Sequence, residues 1–433
     1  LLFAGTERGA YVSWDDGGRW QPLQLNLPIV PITDLAVRDD ELIAATQGRS
    51  YWILNGLANL RQLPGDLASL AGKTPHLFEP APVWRAGFGG FDAAGAAARN
   101  LGTNPPGGAV IYYFLDKAPS PEEAKEARLE ILDRDGKVIR GFSGKPAGSK
   151  PAEKAEPRTE GVEEEPAPAA AEGALKKTAE GTPAAMAATE KQTKKKEDEE
   201  EQKAPMEAGL NRFVWDLSYP KGKTFPGMIL WSGDPIAPLV LPGDYQVRLT
   251  VGGVTRTAPL KIVKNPRGTV TMEDLEAQHR FLMEVRAKLD ETHEAIRQVR
   301  DVRGQLDDLK KRIEDLEAEE KHAKVLDAAK ALDEKMTQVE EALYQTKNRS
   351  PQDPLNFPIR LNDKLNAVAG SAAWFGDARP TEQAIQVKQE LTRAIDAELA
   401  KLAQIFANDL PALNELARTE GVATVILSPS RLK

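Results

Sequence analysis

Apolar positions change their rhythm along this chain, and each change predicts a different kind of element. From Leu1 to about Leu63 they come in short bursts: Leu2-Phe3-Ala4, Ala10-Tyr11-Val12-Ser13, Ile32 to Val37 and Leu42 to Ala45. Bursts of this length between glycine and polar residues predict brief strands and tight turns. Residues 64–108, with Pro64, Gly65, Gly72 and Pro75, read as a connection. A second strand-rich region covers 109–265. It opens on the apolar run Val110 to Leu115, continues through Arg128 to Leu132 and Lys137 to Arg140 around an Asp135-Gly136 turn, and alternates from Asn211 to Leu217. It ends in two arms, Gly243 to Val251 and Val254 to Val263, joined by Gly252-Gly253. Short strands with such turns predict an antiparallel sandwich of immunoglobulin or fibronectin type III character.

Over 271–433 the apolar step becomes three and four. Leu282, Val285, Leu289, Ile296, Val299, Val302, Leu306, Leu309, Ile313 and Leu316 form the buried stripe of a long helix, and Val325, Ala329, Leu332, Met336, Val339 and Leu343 repeat it after a reversal near Glu319 to Lys324. An antiparallel helical hairpin is the simplest result. Ser350-Pro351 and Asp353-Pro354 stop propagation, and Pro380 introduces another amphipathic helix with Ile385, Leu391, Ile395, Leu399, Leu402 and Ile405. The hairpin thereby grows into a small bundle. Its stripe could also serve self-association, but packing on its own return helix costs less because the loop is short. The fold class predicted for the whole is multidomain β plus α.

The first region repeats itself. Phe3-Ala4-Gly5-Thr6-Glu7-Arg8-Gly9-Ala10-Tyr11-Val12 aligns without a gap on Ile43-Ala44-Ala45-Thr46-Gln47-Gly48-Arg49-Ser50-Tyr51-Trp52. A period of about 40 residues made of short strands is that of a β-propeller blade. Residues 1–63 are thus expected to be final blades of a propeller, and two blades do not close a ring, so a chain beginning inside a larger protein is expected. Ser13, Asp15, Gly17 and Trp20 form a Ser-x-Asp-x-Gly-x-x-Trp turn, in which a short carboxylate accepts turn amides, glycine permits positive φ and the indole packs against the blade. The role expected of this turn is structural, not catalytic.

Between Phe142 and Phe213 no aromatic residue occurs, and residues 143–208 are dominated by alanine, lysine, glutamate and proline. Such a stretch buries too little apolar surface to offset its ordering entropy, so a disordered insert acting as a solvated spacer is expected there. The net charge is -8, with no basic stripe interleaved with aromatics, which argues against nucleic acid as a partner. There is no cysteine, which removes thiol nucleophiles, disulfides and cysteine-bound zinc. No apolar run approaches the roughly 20 residues of a transmembrane helix.

Candidate chemistry is sparse. Glu7 and Arg8 follow a strand of the first repeat and Gln47 and Arg49 occupy the corresponding loop of the second, so these four are the candidate ligand contacts at the mouth of a propeller channel, with solvated loop charges as the plainer alternative. Glycoside hydrolysis needs two carboxylates about 5 to 10 Å apart. Glu7, Asp34 and Glu41 are available, but nothing in their spacing makes two converge. Of the four histidines, His279 and His293 are separated by roughly 21 Å of helix, too far to share a metal. No metal site, cofactor or catalytic residue is assigned. The aromatics Tyr112, Tyr113, Phe114, Trp215, Trp231 and Tyr245 read as sheet core more readily than as a sugar-stacking platform.

With these residues in view, the Ser13 to Trp20 turn resembles the Asp-box, and the chain resembles the C-terminal part of large bacterial sortilin-like, glycosyl-hydrolase-like propeller proteins with bacterial neuraminidase repeats. The resemblance runs through Gly5-Thr6-Glu7-Arg8-Gly9, Ala45 to Leu54, Asn104 to Tyr113, Leu241-Pro242-Gly243-Asp244-Tyr245 and Arg360-Leu361-Asn362-Asp363-Lys364-Leu365. Gln47 departs from it, since a histidine is expected before Gly48-Arg49-Ser50. The resemblance implies propellers upstream and an exported location. The function expected from it is a non-catalytic binding or scaffold protein for a protein, peptide or glycan ligand at the propeller. The alternative is the C-terminal part of a secreted glycoside hydrolase, sialidase- or xyloglucanase-like, whose catalytic residues lie mostly upstream.

Overall fold

Tight turns and alternating burial set the first six strands of the computed structural model, which describes residues 1–63, 65, 70, 72–85, 107–148, 202–373 and 376–427. The described residues are mixed β plus α, and none of their helices is long and apolar enough to cross a membrane. Contacts divide the chain into two units. Unit 1 comprises Leu1–Pro80, Ile111–Phe213 and Gln246–Pro259; unit 2 comprises Ala81–Val110, Val214–Tyr245 and Leu260–Lys433.

Unit 1 begins with two three-stranded antiparallel sheets. The first is β1 (Leu2–Thr6), β2 (Gly9–Ser13) and β3 (Gln21–Pro22); the second is β4 (Ile32–Arg38), β5 (Glu41–Thr46) and β6 (Tyr51–Asn55). The repeat is visible in their turns: Thr6 Oγ1 donates to Gly9 O at 2.9 Å and Thr46 Oγ1 donates to Ser50 O at 2.6 Å. The alignment nevertheless slips by one residue past the turn. Gly5 faces Ala10 in the first sheet, whereas Ala45 faces Tyr51 in the second, so the second turn holds one residue more. The extra residue is accommodated by positive φ at Gly48 and Ser50. After Asn55 the second repeat carries no Ser-x-Asp turn; it passes into α1 (Leu57–Gln62), whose Leu57 is fully buried.

The remaining strands are β7 (His76–Leu77), β8 (Val83–Arg85), β9 (Ala109–Leu115), β10 (Arg128–Leu132), β11 (Val138–Pro146), β12 (Ala204–Met206), β13 (Gly209–Trp215), β14 (Gly243–Val251) and β15 (Val254–Lys264), with α2 (Pro121–Glu126) before β10. They make a six-stranded sheet, ordered β12-β11-β10-β14-β15-β8, and a three-stranded sheet, β13-β9-β7. Within unit 1 their facing side chains, Ile111, Tyr113, Leu129, Ile131, Phe142, Phe213, Val247 and Leu249, are buried, and the Phe142 and Phe213 rings lie 4.6 Å apart. Gly252 and Gly253 both have positive φ, as the two-residue turn between β14 and β15 requires.

At both ends of the stretch expected to be an unordered insert, the described residues are strands: Gly144 to Pro146 pair in parallel with Ala204 to Met206. Ala204 and Met206 are wholly buried, so two small apolar contributions at the segment's edge suffice to join it to the sheet. Residues 149–201 of that stretch, and 86–106 of the expected connection, lie outside the described residues.

Unit 2 is dominated by α3 (Met272–Asp315), α4 (Ala323–Leu343), α5 (Leu361–Ala373), α6 (Glu382–Gln404) and α7 (Leu410–Thr419), with a π-helical turn, Ile405–Asp409, between the last two. Thr271 caps α3 and exchanges hydrogen bonds with Asp274. The Thr271 hydroxyl, then Arg379, holds the Asp274 carboxyl down at about 2. The predicted stripe from Leu282 to Ile313 is buried and shares one core with Val325, Leu332, Met336, Leu365, Ile395 and Leu413. Leu316 departs from the stripe. It lies beyond the last helical turn, beside Glu317 at positive φ, and is exposed.

Candidate functional site

The Ser13 to Trp20 turn is closed on itself. Ser13 Oγ donates to Asp15 Oδ1 at 2.8 Å and accepts Gly17 N at 2.9 Å; Asp15 Oδ1 also accepts Arg19 N at 2.8 Å, and Asp15 O accepts Gly18 N at 3.1 Å. The Arg19 amide, then the Ser13 hydroxyl, lower the Asp15 pKa by favouring its ionised form. Asp15 is thereby committed to holding the turn. Trp20 is 41% exposed, so its indole covers the turn only in part, lying near Gly17 and Leu2.

Glu7 and Arg8 occupy the β1–β2 turn, and Gln47 and Arg49 the β5–β6 turn; all four are exposed. The two turns emerge at the same end of the paired sheets, because Ile32 pairs with Thr46 and also lies against Gly5. The Ser13 to Trp20 turn lies at the other end of β2, about 13 Å away at the usual strand rise. Among the carboxylates, Asp34 sits opposite Ala45 near the Glu7 end, while Glu41 begins β5 and stands about 17 Å from Thr46. Glu41 is therefore too far along the sheet to work with a group at that end.

A second constellation, in unit 2, was not legible as a site. Residues 222–236 run without regular structure, and helical side chains take up their backbone groups one after another. His293 Nδ1–H donates to Lys223 O at 2.6 Å, Arg300 to Pro226 O at 2.9 Å, and Tyr344 OH accepts Ile229 N at 3.0 Å. Asp363 accepts Trp231 N at 2.8 Å, Ser232 N at 3.0 Å and Ser232 Oγ at 2.6 Å; Asn366 donates to Gly233 O at 3.0 Å. Asn362 completes the set by donating to His293 Nε2 at 3.2 Å, which fixes the imidazole as the neutral Nδ1–H tautomer. His293, Asn362, Asp363 and Asn366 are all buried. Burial of these polar groups is tolerated because hydrogen bonds take up nearly all of them; Asn366 Oδ1 alone among the four residues' side-chain polar atoms is buried without a partner. The signal in the sequence was the Arg360 to Leu365 segment, where Asn362 and Asp363 interrupt an otherwise helical apolar pattern.

Arg85, also buried in unit 2, donates to Val240 O at 2.8 Å and pairs with Asp377. Among the described residues no group of three or more His, Cys, Asp or Glu is placed to hold a metal ion. Of the aromatics weighed as a platform, Tyr113 and Trp215 are core residues, while Trp231 is exposed. No family model, curated protein or solved structure matches this chain.

Proposed function

We propose that this chain is a non-catalytic binding and scaffold region of an exported Asp-box propeller protein, with its two repeats as propeller blades, an immunoglobulin-like sandwich behind them and a helical bundle after it. The observation that carries this reading is the pair of exposed turns, Glu7-Arg8 and Gln47 to Arg49, emerging at one end of two repeated sheets while the Asp15 carboxylate is committed to its own turn. Polar loops gathered at one end of a rigid strand scaffold are where β proteins place recognition. The sandwich assignment is supported by Tyr245, whose hydroxyl donates to Leu241 O at 2.8 Å, a tyrosine reaching back to the backbone a few residues upstream. The 44-residue helix α3, clamped to residues 222–236, gives the helical bundle a stiff backbone of its own.

The test is calorimetric titration of the chain with defined oligosaccharides and short peptides. An Arg8→Ala, Arg49→Ala double variant is expected to bind at least tenfold more weakly with an unchanged melting temperature. Turnover of a glycoside that Glu7→Gln abolishes would overturn the reading in favour of a hydrolase.

A further inference from the structure

The irregular strap 222–236 of unit 2 is fastened toward both ends through one imidazole. His293, wholly buried on α3, donates Nδ1–H to Lys223 O at 2.6 Å near the start of the strap, and its Nε2 accepts Asn362 Nδ2 at 3.2 Å. The Asn362 amide is held in that orientation, because its Oδ1 accepts Asp363 N at 2.7 Å. Asp363 in turn holds Trp231 and Ser232, toward the far end of the strap. Phe225, also on the strap, stands edge-on to the imidazole with 5.3 Å between centroids. Both ring nitrogens are thus satisfied only in the neutral form that carries its proton on Nδ1. A second proton would set Nε2–H against the Asn362 N–H groups, two donors facing each other with no acceptor between them. Relief requires Asn362 to rotate, which gives up Asp363 N, or the ring to leave its seat, which gives up Lys223 O. Either movement loosens one end of the strap.

Charged side chains stand on every element round the ring: Asp290, Glu294 and Arg297 on α3, Lys223 on the strap, Asp363 on α5, and Arg300 beyond the Phe225 ring. Asp290 accepts Lys223 N at 2.5 Å, Asp363 spends its carboxylate on Trp231 and Ser232, and Arg300 is taken up by Glu340 of α4 and by Pro226 O. Burial keeps the ring neutral against the pull of the Lys223 carbonyl and of Asp290. We propose that His293 is a proton-operated latch, which holds residues 222–236 against the helices at neutral pH and releases them, with the helices still folded, when it takes up a proton in mildly acidic solution. The strap is built to open separately. Its backbone is fastened by side chains instead of a strand or helix ladder, and of its apolar side chains Phe225 is buried in the helical core while Met228, Leu230 and Ile236 are only partly buried there. Segments with few buried apolar contacts are the ones that open locally at low cost. An imidazole freed with the strap titrates near 6.5, so the opening constant rises about tenfold between pH about 7.5 and about 5.5.

Hydrogen–deuterium exchange of the full chain, followed by mass spectrometry, tests this. Rates are read as protection factors, so that the pH dependence of the chemical exchange step cancels. Peptides covering the Ile229, Trp231 and Ser232 amides are expected to lose about tenfold in protection from pH about 7.5 to about 5.5, while peptides within α6 keep theirs. In His293→Gln, whose side chain offers one donor and one acceptor and takes up no proton, that loss should vanish. If His293→Gln does not fold, Asn362→Asp takes its place: a carboxylate facing Nε2 accepts the second N–H, so the strap should stay protected at the lower pH. Strap protection in the wild type that does not change with pH overturns the proposal. So does an equal loss throughout unit 2, which is unfolding and not release of the strap, or a strap-specific loss that persists in the variant.

Discussion

Asp15 and Asp363 are two carboxylates that a list of acidic residues would rank alike, and their surroundings make both structural. Asp15 closes a turn of five residues, and Asp363 fastens two amides and a hydroxyl of a segment more than a hundred residues away in sequence. His293 belongs to the same clamp and carries a pH dependence. Burial first of all lowers its pKa, outweighing the opposing effects of the Lys223 carbonyl and Asp290. Folded His293 is therefore neutral where an unfolded imidazole, near 6.5, takes up a proton. Its contribution is complete above that value and is lost as pH falls below it, with a limiting slope of about 1.4 kcal/mol per pH unit for one such group. His76 and His279, also lowered chiefly by burial, add with the same sign. Urea unfolding at pH about 7.5 and about 5.5 should show the loss, and His293→Gln should reduce the difference between the two.

Among the elements, α3 and α4 were the most readable, because a stripe stepping by three and four has one physical solution, burial along a helix face. What joins them was not readable. Arg300 and Arg303 both reach Glu340, Arg300 Nε to Oε1 at 2.7 Å and Arg303 Nη1 to Oε2 at 2.7 Å, while Arg303 also meets Asp333 at 2.8 Å. Glu340 is almost wholly buried, and on the sequence it is one glutamate among many on a charged helix. Glu340→Ala takes the shared carboxylate from two partly exposed guanidinium groups, of which Arg303 keeps Asp333 and Arg300 keeps Pro226 O, and should cost about 1–3 kcal/mol in urea-denaturation free energy. Double variants with Arg300→Ala should cost less than the sum of the singles, since the pair is coupled. In the strands, the hairpin at Gly252-Gly253 was legible from its residue types, whereas β11–β12 pairing was hidden in a stretch whose composition reads as unordered.

At the scale of the molecule, each of the two units is built round buried residues of its own: Ile111, Tyr113, Leu129 and Phe142 in unit 1, and Leu289, Val299, Leu332 and Met336 in unit 2. Leu332→Ala removes apolar volume from the core of unit 2 and is expected to cost about 2–5 kcal/mol, read from urea denaturation followed by far-UV circular dichroism.

The sequence by itself determined the periodicities: two short-strand repeats with a Ser-x-Asp-x-Gly-x-x-Trp turn, glycine-marked hairpins and a long apolar helical stripe. These follow from local rules, since period 2, period 3.6 and positive φ are each encoded within a few residues. Tertiary structure alone decided which like residues differ in fate. Val12 and Ile53 hold matching positions in the strand pairing of the two repeats, yet one is buried and the other open, because only the first has a neighbouring sheet on that face. Asn362, Asp363 and His293 became a clamp for the same reason: their partners lie 69 to 132 residues away, and no local pattern records a contact at that distance.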